Sequence, residues 1–189
     1  GAMESVTLFS KYPWEELNGR PIALSKESLS SASLLKIMLK VRWGYDNLFK
    51  EDRRDVEDML KDADAALVIG DQALHQSRNS APFRFDMSDE WYKWQQLPFC
   101  FALWAVNRPF ADAEPRTVHR MALALEEQVS RNLENLEVLL DASCTLPSAE
   151  GKSRAELLVY FRSLNYRLDP QTLQGLARFY ELARQVKMI

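Results

Sequence analysis

Apolar positions recur at two spacings along the chain, and the switch between them predicts its organisation. Ser5-Val6-Thr7-Leu8-Phe9-Ser10 alternates as a strand does. Trp14-Glu15-Glu16-Leu17 predicts a short helical turn ended by Asn18-Gly19, and Pro21-Ile22-Ala23-Leu24 a second strand. From Ser30 to Val41, Leu34, Leu35, Met38 and Leu39 share one helical face, which Trp43-Gly44 closes. Val56, Met59 and Leu60 mark a helix over 54–61. Ala65-Ala66-Leu67-Val68-Ile69 is a continuous apolar run, the pattern of a strand covered on both faces, and a helix follows through Ala73 and Leu74. Phe83-Arg84-Phe85 predicts a short strand, Ser88 the cap of an aromatic helix through Trp91 and Trp94, and Pro98 to Val106 a long apolar strand.

Strands that alternate with helices imply parallel pairing and an α/β architecture. From Pro115 onward the spacing is helical only. Residues 115–142 read as one long helix whose stripe is Met121, Leu125, Val129, Leu133, Leu136 and Leu140. Helices over 153–164 and 170–188 follow, the last carrying Leu173, Leu176, Phe179, Tyr180 and Leu182. The expected division is an α/β ligand-binding unit over 4–106 and a C-terminal helical segment over 107–189. The long stripe must bury its face, and the pattern leaves open whether the covering surface lies in this chain.

Composition narrows the function classes. Twenty-four basic and 27 acidic residues among 189 give a net charge of −3, which offers no basic face for nucleic acid. A small acidic ligand is still compatible, because a few local donors can hold one. Cys100 and Cys144 have no Cys-x-x-Cys spacing and are expected to be reduced and buried; a zinc site or disulfide scaffold is not expected. No apolar run reaches the ~18–20 residues that span a bilayer. Gly1-Ala2-Met3 reads as an expression scar, and because a strand begins at once the native start is expected to lie upstream.

Three stretches could carry chemistry. Glu27-Ser28-Leu29-Ser30-Ser31-Ala32-Ser33 runs from a strand into a helix, where unpaired N–H groups and the helix dipole favour a carboxylate or phosphate. One Ser would suffice as a cap, so four Ser in six residues suggest binding donors as well. Ile69-Gly70-Asp71 follows a buried strand, at the strand end where α/β sheets bind ligands. Gly70 permits close backbone approach, and Asp71 either orients a substrate hydroxyl or caps the next helix. No Gly-x-Gly-x-x-Gly is present for a dinucleotide. Trp91-Tyr92-Lys93-Trp94 with Leu97-Pro98-Phe99 reads as core packing. His75 and His119 are isolated, no Ser-His-Asp set is legible, and Glu126, Glu127 and Glu134 read as solvated.

At these residues the chain resembles chorismate dehydratase, of the futalosine pathway of menaquinone biosynthesis. The resemblance rests on Leu67 to Leu74, on Trp91 through Leu97-Pro98-Phe99-Cys100-Phe101-Ala102-Leu103-Trp104, on Ser5 to Lys11, on the Glu27-Ser28-x-Ser30-Ser31 helix start and on Tyr160 to Tyr180. It implies the second lobe of a two-lobed type 2 periplasmic-binding-protein-like fold, a mixed sheet flanked by helices, used as a cytoplasmic enzyme. The implied reaction dehydrates chorismate to 3-[(1-carboxyvinyl)oxy]benzoate with no metal or organic cofactor. Ser5 would lie on the first hinge crossing and Phe99 to Trp104 on the return, with Ser30, Ser31, Gly70 and Asp71 lining the cleft; no catalytic residue is assigned. The family tends to carry Thr-Gly where this chain has Gln95-Gln96, and Asp-Leu-Gly where it has Asp86-Met87-Ser88. A first lobe of roughly 90 residues, near the low end of domain sizes, has no counterpart here. The 107–189 helices would pack on that lobe, and the chain alone is expected to have little activity.

Two other function classes fit the same pattern. A non-catalytic solute-binding-like module would hold a small or aromatic carboxylate without converting it. A structural fragment would self-associate, forming a homo-oligomer through its exposed helical faces. Neither reading calls for nucleic acid or a membrane.

Overall fold

The structure is a computed structural model that describes residues 4–76, 80–143 and 153–189. The chain forms two compact units: residues 1–101 with 169–189, and residues 102–168.

The first unit is built on five strands, β1 (Val6–Ser10), β2 (Pro21–Ser25), β3 (Leu48–Asp52), β4 (Ala65–Ile69) and β5 (Phe83–Asp86), in the order β3-β2-β4-β1-β5. Strand β2 runs parallel to β3 and β4, whereas β1 runs antiparallel to β4 and β5. The sheet is therefore mixed and the fold is α/β, as expected; the parallel pairing predicted for all strands holds for β2, β3 and β4 only.

Alternation along the strands divides the core in two. Val6, Leu8, Ile22, Leu24, Ala65 and Leu67 face one side. That side is covered by α1 (Leu29–Ile37), by the π-helical turn Met38–Arg42, by α4 (Met87–Gln95) and by the C-terminal helix α9 (Pro170–Gln185). Phe9, Ala23, Ala66 and Val68 face the other, under the short helices α2 (Val56–Asp62) and α3 (Gly70–His75). Both faces of β4 are buried, which is why its sequence is unbroken hydrocarbon. Gly44, at φ 71°, ends the first helical stretch as its position predicts.

Strand β3 carries no sequence signal strong enough to predict it. It is an edge strand whose Leu48, Lys50 and Glu51 are exposed, so only Phe49 packs inward. Residues 98–106, expected to be a strand, are not one. Phe99 and Phe101 instead turn into an aromatic cluster: Phe99 meets Trp91 at 5.3 Å and Phe179 at 5.1 Å, edge to face. The apolar run is spent on side-chain packing between rings rather than on strand pairing. Ala102 to Val106 are exposed, Trp104 most of all.

The second unit holds α5 (Arg108–Ala113), α6 (Pro115–Glu134), α7 (Leu136–Ser143) and α8 (Arg154–Ser163). The single helix expected over 115–142 is interrupted at Asn135, whose backbone N–H and side-chain amide both donate to the Arg131 carbonyl, at 3.1 and 2.8 Å. The side chain thus adds a second donor to a carbonyl that the main-chain N–H already uses. Leu136 and Leu140 are buried with Leu157, while Met121, Leu125 and Leu133 on α6 are exposed.

Helix α9 reaches its seat through Gly175, where an added methyl would lie 2.0 Å from the Pro98 carbonyl oxygen. Backbone cannot rotate out of such a contact, so overpacking costs typically about 1–3 kcal/mol. Gly175→Ala is expected to destabilise the protein by about 2 kcal/mol or more in urea unfolding. An unchanged midpoint would show that the two segments do not touch.

Candidate functional site

Topology gathers the residues singled out from sequence along one edge of the first unit's sheet. Strands β2, β3 and β4 end there, β1 begins there and β5 ends there, because Val6 pairs with Ile69 and Thr7 with Asp86. Helices α1, α2, α3 and α4 all start at this edge. Neighbouring strands lie about 4.8 Å apart, so the ends of β2 and β4 and the start of β1 form one continuous rim. Ser5, Ser30, Ser31, Gly70 and Asp71 all belong to it.

Four helix starts share the rim, yet they differ in electrostatic character. The N-caps of α2 and α4 are Asp55 and Asp86, whose own carboxylates accept the Asp58 and Asp89 N–H groups, each at 2.9 Å. Helix α3 is six residues long and has no side-chain cap. Helix α1 is capped by the neutral Ser28 and has no acid in its first turn. Its partial positive end is therefore the one on this rim left without a carboxylate of its own, although Glu27 stands exposed just before the cap.

The serines divide by role. Ser28 Oγ accepts the Ser31 N–H at 3.2 Å and donates to Ser31 Oγ at 2.8 Å. Ser31 is buried, and this pair fixes the helix start. Ser30 is half-buried, and among the described residues its hydroxyl has no hydrogen-bond partner. Capping accounts for Ser28 and Ser31, and Ser30 is the hydroxyl left over.

Gly70 takes φ 61°, a left-handed conformation that a side chain resists, and its N–H donates to the Ser5 carbonyl at 2.7 Å. Asp71 does not cap α3, because the cap position is Ile69. The Asp71 carboxylate is exposed and unpaired among the described residues. Ser5 is buried, and its hydroxyl also has no partner there. At the neighbouring end of β3, the Arg54 guanidinium grips Asp52 at 2.7 Å and Asp62 at 2.7 Å. Its hydrogen bonds hold the Asp52 carboxyl well below the usual carboxylate range.

The other candidates fall to structural roles. Trp91 is fully buried against Trp94, Phe99 and Phe179. Asp86, rather than Ser88, caps the aromatic helix, since Asp outcompetes a residue already inside the first turn. His75, His119, Glu126, Glu127 and Glu134 are exposed, and Glu127 pairs with Arg131. Cys100 is half-buried, and Cys144 lies outside the described residues. Gln96 ends α4 at φ 55°, and Gln95 accepts a hydrogen bond from Arg178 Nε at 2.9 Å. Gln95 is thus spent on the junction of α4 with α9. Sequence reasoning missed Glu4 and Asp86 at the rim; an Asp three residues before Asp89-Glu90 was the available capping signal. Among the described residues no cluster of His, Cys, Asp and Glu could hold a metal ion, and no helix is long and apolar enough to cross a membrane.

A family model described as menaquinone biosynthesis matches residues 1–185 of this chain. The chain is also similar to the chorismate dehydratase of Thermus thermophilus, at 28% identity over 96% of this chain and 68% of that protein.

Two outcomes follow from the rim. Ser28→Ala is expected to cost about 1 kcal/mol through the lost cap, and Ser30→Ala less than about half of that; equal losses in urea unfolding would contradict the division of roles. Because the folded state depresses the Asp52 pKa, its stabilising contribution is present above about 4, the unfolded carboxylate value, and is lost as pH falls. Asp52→Asn should therefore destabilise at pH 7 and have less effect at about pH 3, measured as urea midpoints. A gap independent of pH would count against the pairing.

Proposed function

We propose, for a chain that belongs to the menaquinone biosynthesis family, that it forms the carboxylate-holding wall of a chorismate dehydratase. The observation that carries this reading is the rim itself: a neutral, Ser-capped helix start beside the Ser5–Gly70 contact and an Asp71 unpaired among the described residues. The relative's name supports the choice of substrate.

The chemistry suits such a wall. Dehydration removes the ring proton at C3 of chorismate and expels the C4 hydroxyl, leaving an aromatic ring and one water. Negative charge that develops at C3 is conjugated through the ring alkene to the ring carboxylate. Donors already aimed at that carboxylate stabilise the charge as it forms, without reorganisation. In this reading the α1 N-terminus and the Ser30 hydroxyl hold the ring carboxylate, and Ser31 fixes the helix start that presents them. Ser5 and the Gly70 backbone border the ring. Asp71 orients the departing hydroxyl. Aromatisation supplies the driving force, so the residues chiefly bind and orient.

Incubating the full-length parent protein, rather than these 189 residues alone, with chorismate and following the aromatic enol ether by absorbance and mass spectrometry tests the proposal. Product is expected, and Ser30→Ala is expected to raise KM several-fold, in line with about 1 kcal/mol for a lost hydrogen bond. Binding of chorismate without conversion would favour the solute-binding reading instead.

A further inference from the structure

The chain enters β1 through a corner that the cleft reading leaves unexplained. Glu4 takes φ 57°, a left-handed conformation that costs a non-glycine residue roughly 1–2 kcal/mol. Among the described residues, three hydrogen bonds brace that corner. The Glu4 N–H donates to Asp86 Oδ2 at 2.5 Å, the Thr7 hydroxyl donates to the Glu4 carbonyl at 3.1 Å, and the Gly70 N–H donates to the Ser5 carbonyl at 2.7 Å. Asp86 divides its two oxygens between tasks: Oδ1 caps α4 by accepting the Asp89 N–H, and Oδ2 reaches across to Glu4. Strand pairing alone does not require the second bond, since the β1–β5 ladder already starts at Thr7 opposite Asp86.

We infer that Asp86 is a positioning residue for the ligand site, fixing the Glu4–Ser5 corner so that the Ser5 hydroxyl and the Gly70 backbone face the ligand in one geometry. Strained backbone persists where surrounding contacts over-determine it, and such residues concentrate at ligand clamps. Here the strained residue stands next to Ser5, which is buried, has a hydroxyl with no partner among the described residues and meets Gly70, itself left-handed. Charge strengthens the hold: a carboxylate accepting a backbone N–H makes a stronger bond than a neutral acceptor. The inference rests on the cleft reading for its functional consequence and on geometry alone for the corner.

Two substitutions separate positioning from capping. Asp86→Ser keeps an oxygen able to cap α4 but cannot span to Glu4. Asp86→Asn keeps the shape and one accepting oxygen. In both, hydrogen exchange is expected to stay slow at the Asp89 amide and to accelerate about tenfold or more at the Gly70 amide. Loss of one charge-assisted bond, worth about 1.5 kcal/mol, corresponds to roughly a tenfold change. For chorismate, KM is expected to rise about tenfold with kcat nearly unchanged, the mark of lost uniform binding. Unchanged exchange at Gly70 with Asp89 still protected would overturn the inference, as would an unchanged KM. If the unsubstituted protein neither binds nor converts chorismate, the cleft reading fails, and the exchange data still decide whether Asp86 holds the corner.

Discussion

The hydrogen bond from the Gly70 N–H to the Ser5 carbonyl, 2.7 Å long, joins the end of β4 to the beginning of β1. It exists because β1 runs against β4 with Val6 opposite Ile69. Were β1 parallel to its neighbours, its start would lie at the far edge of the sheet, a strand length away from every helix N-terminus. Reversal of one central strand thus puts a chain entry beside four strand exits and four helix starts on a single rim. The rim's polarity follows from what caps each helix. Asp55 and Asp86 spend their charge on α2 and α4, and α1 keeps its dipole.

Packing fixes that rim in place from both sides of the sheet. Strands β1, β2 and β4 each send alternate residues to opposite cores, so a shift by one residue would exchange the two sets. The two sides are unequal. Leu and Trp side chains on one side pack against α1, α4 and α9, whereas Ala23, Ala66 and Ala73 lie on the other with two short helices.

Much of this was legible in the sequence, for reasons that also mark where legibility ends. The unbroken Ala65–Ile69 run and the Leu34, Leu35, Met38, Leu39 face report burial, and burial is what hydrophobic spacing encodes. Strand β3 sits at an edge with charged Lys50 and Glu51 outward, so burial barely marks it. Direction is not encoded by spacing at all, which is why β1 reads the same parallel or antiparallel. The run from Pro98 to Val106 misleads because apolar residues can pack as an aromatic cluster without pairing. At the rim, serine density marked the start of α1 as a candidate, but which hydroxyls are consumed by capping depends on partners three residues apart in a formed turn. Glu4 and Asp86 are 82 positions apart, and their hydrogen bond leaves no trace in local pattern.

The seating of α9 has a consequence for the order of events in synthesis. Residues 169–189 belong to the same compact unit as residues 1–101, and Leu182 and Ala183 are buried with Leu8, Leu24 and Trp91. On the ribosome, at about 5–20 residues per second, the sheet emerges before the helix that covers it. Until then the side of the sheet bearing Leu8 and Trp91 lacks part of its cover and presents hydrocarbon to the cell. The nascent chain is consequently most exposed to chaperones, proteases and aggregation while the intervening segment is being made, and the folding of this unit has to wait for α9.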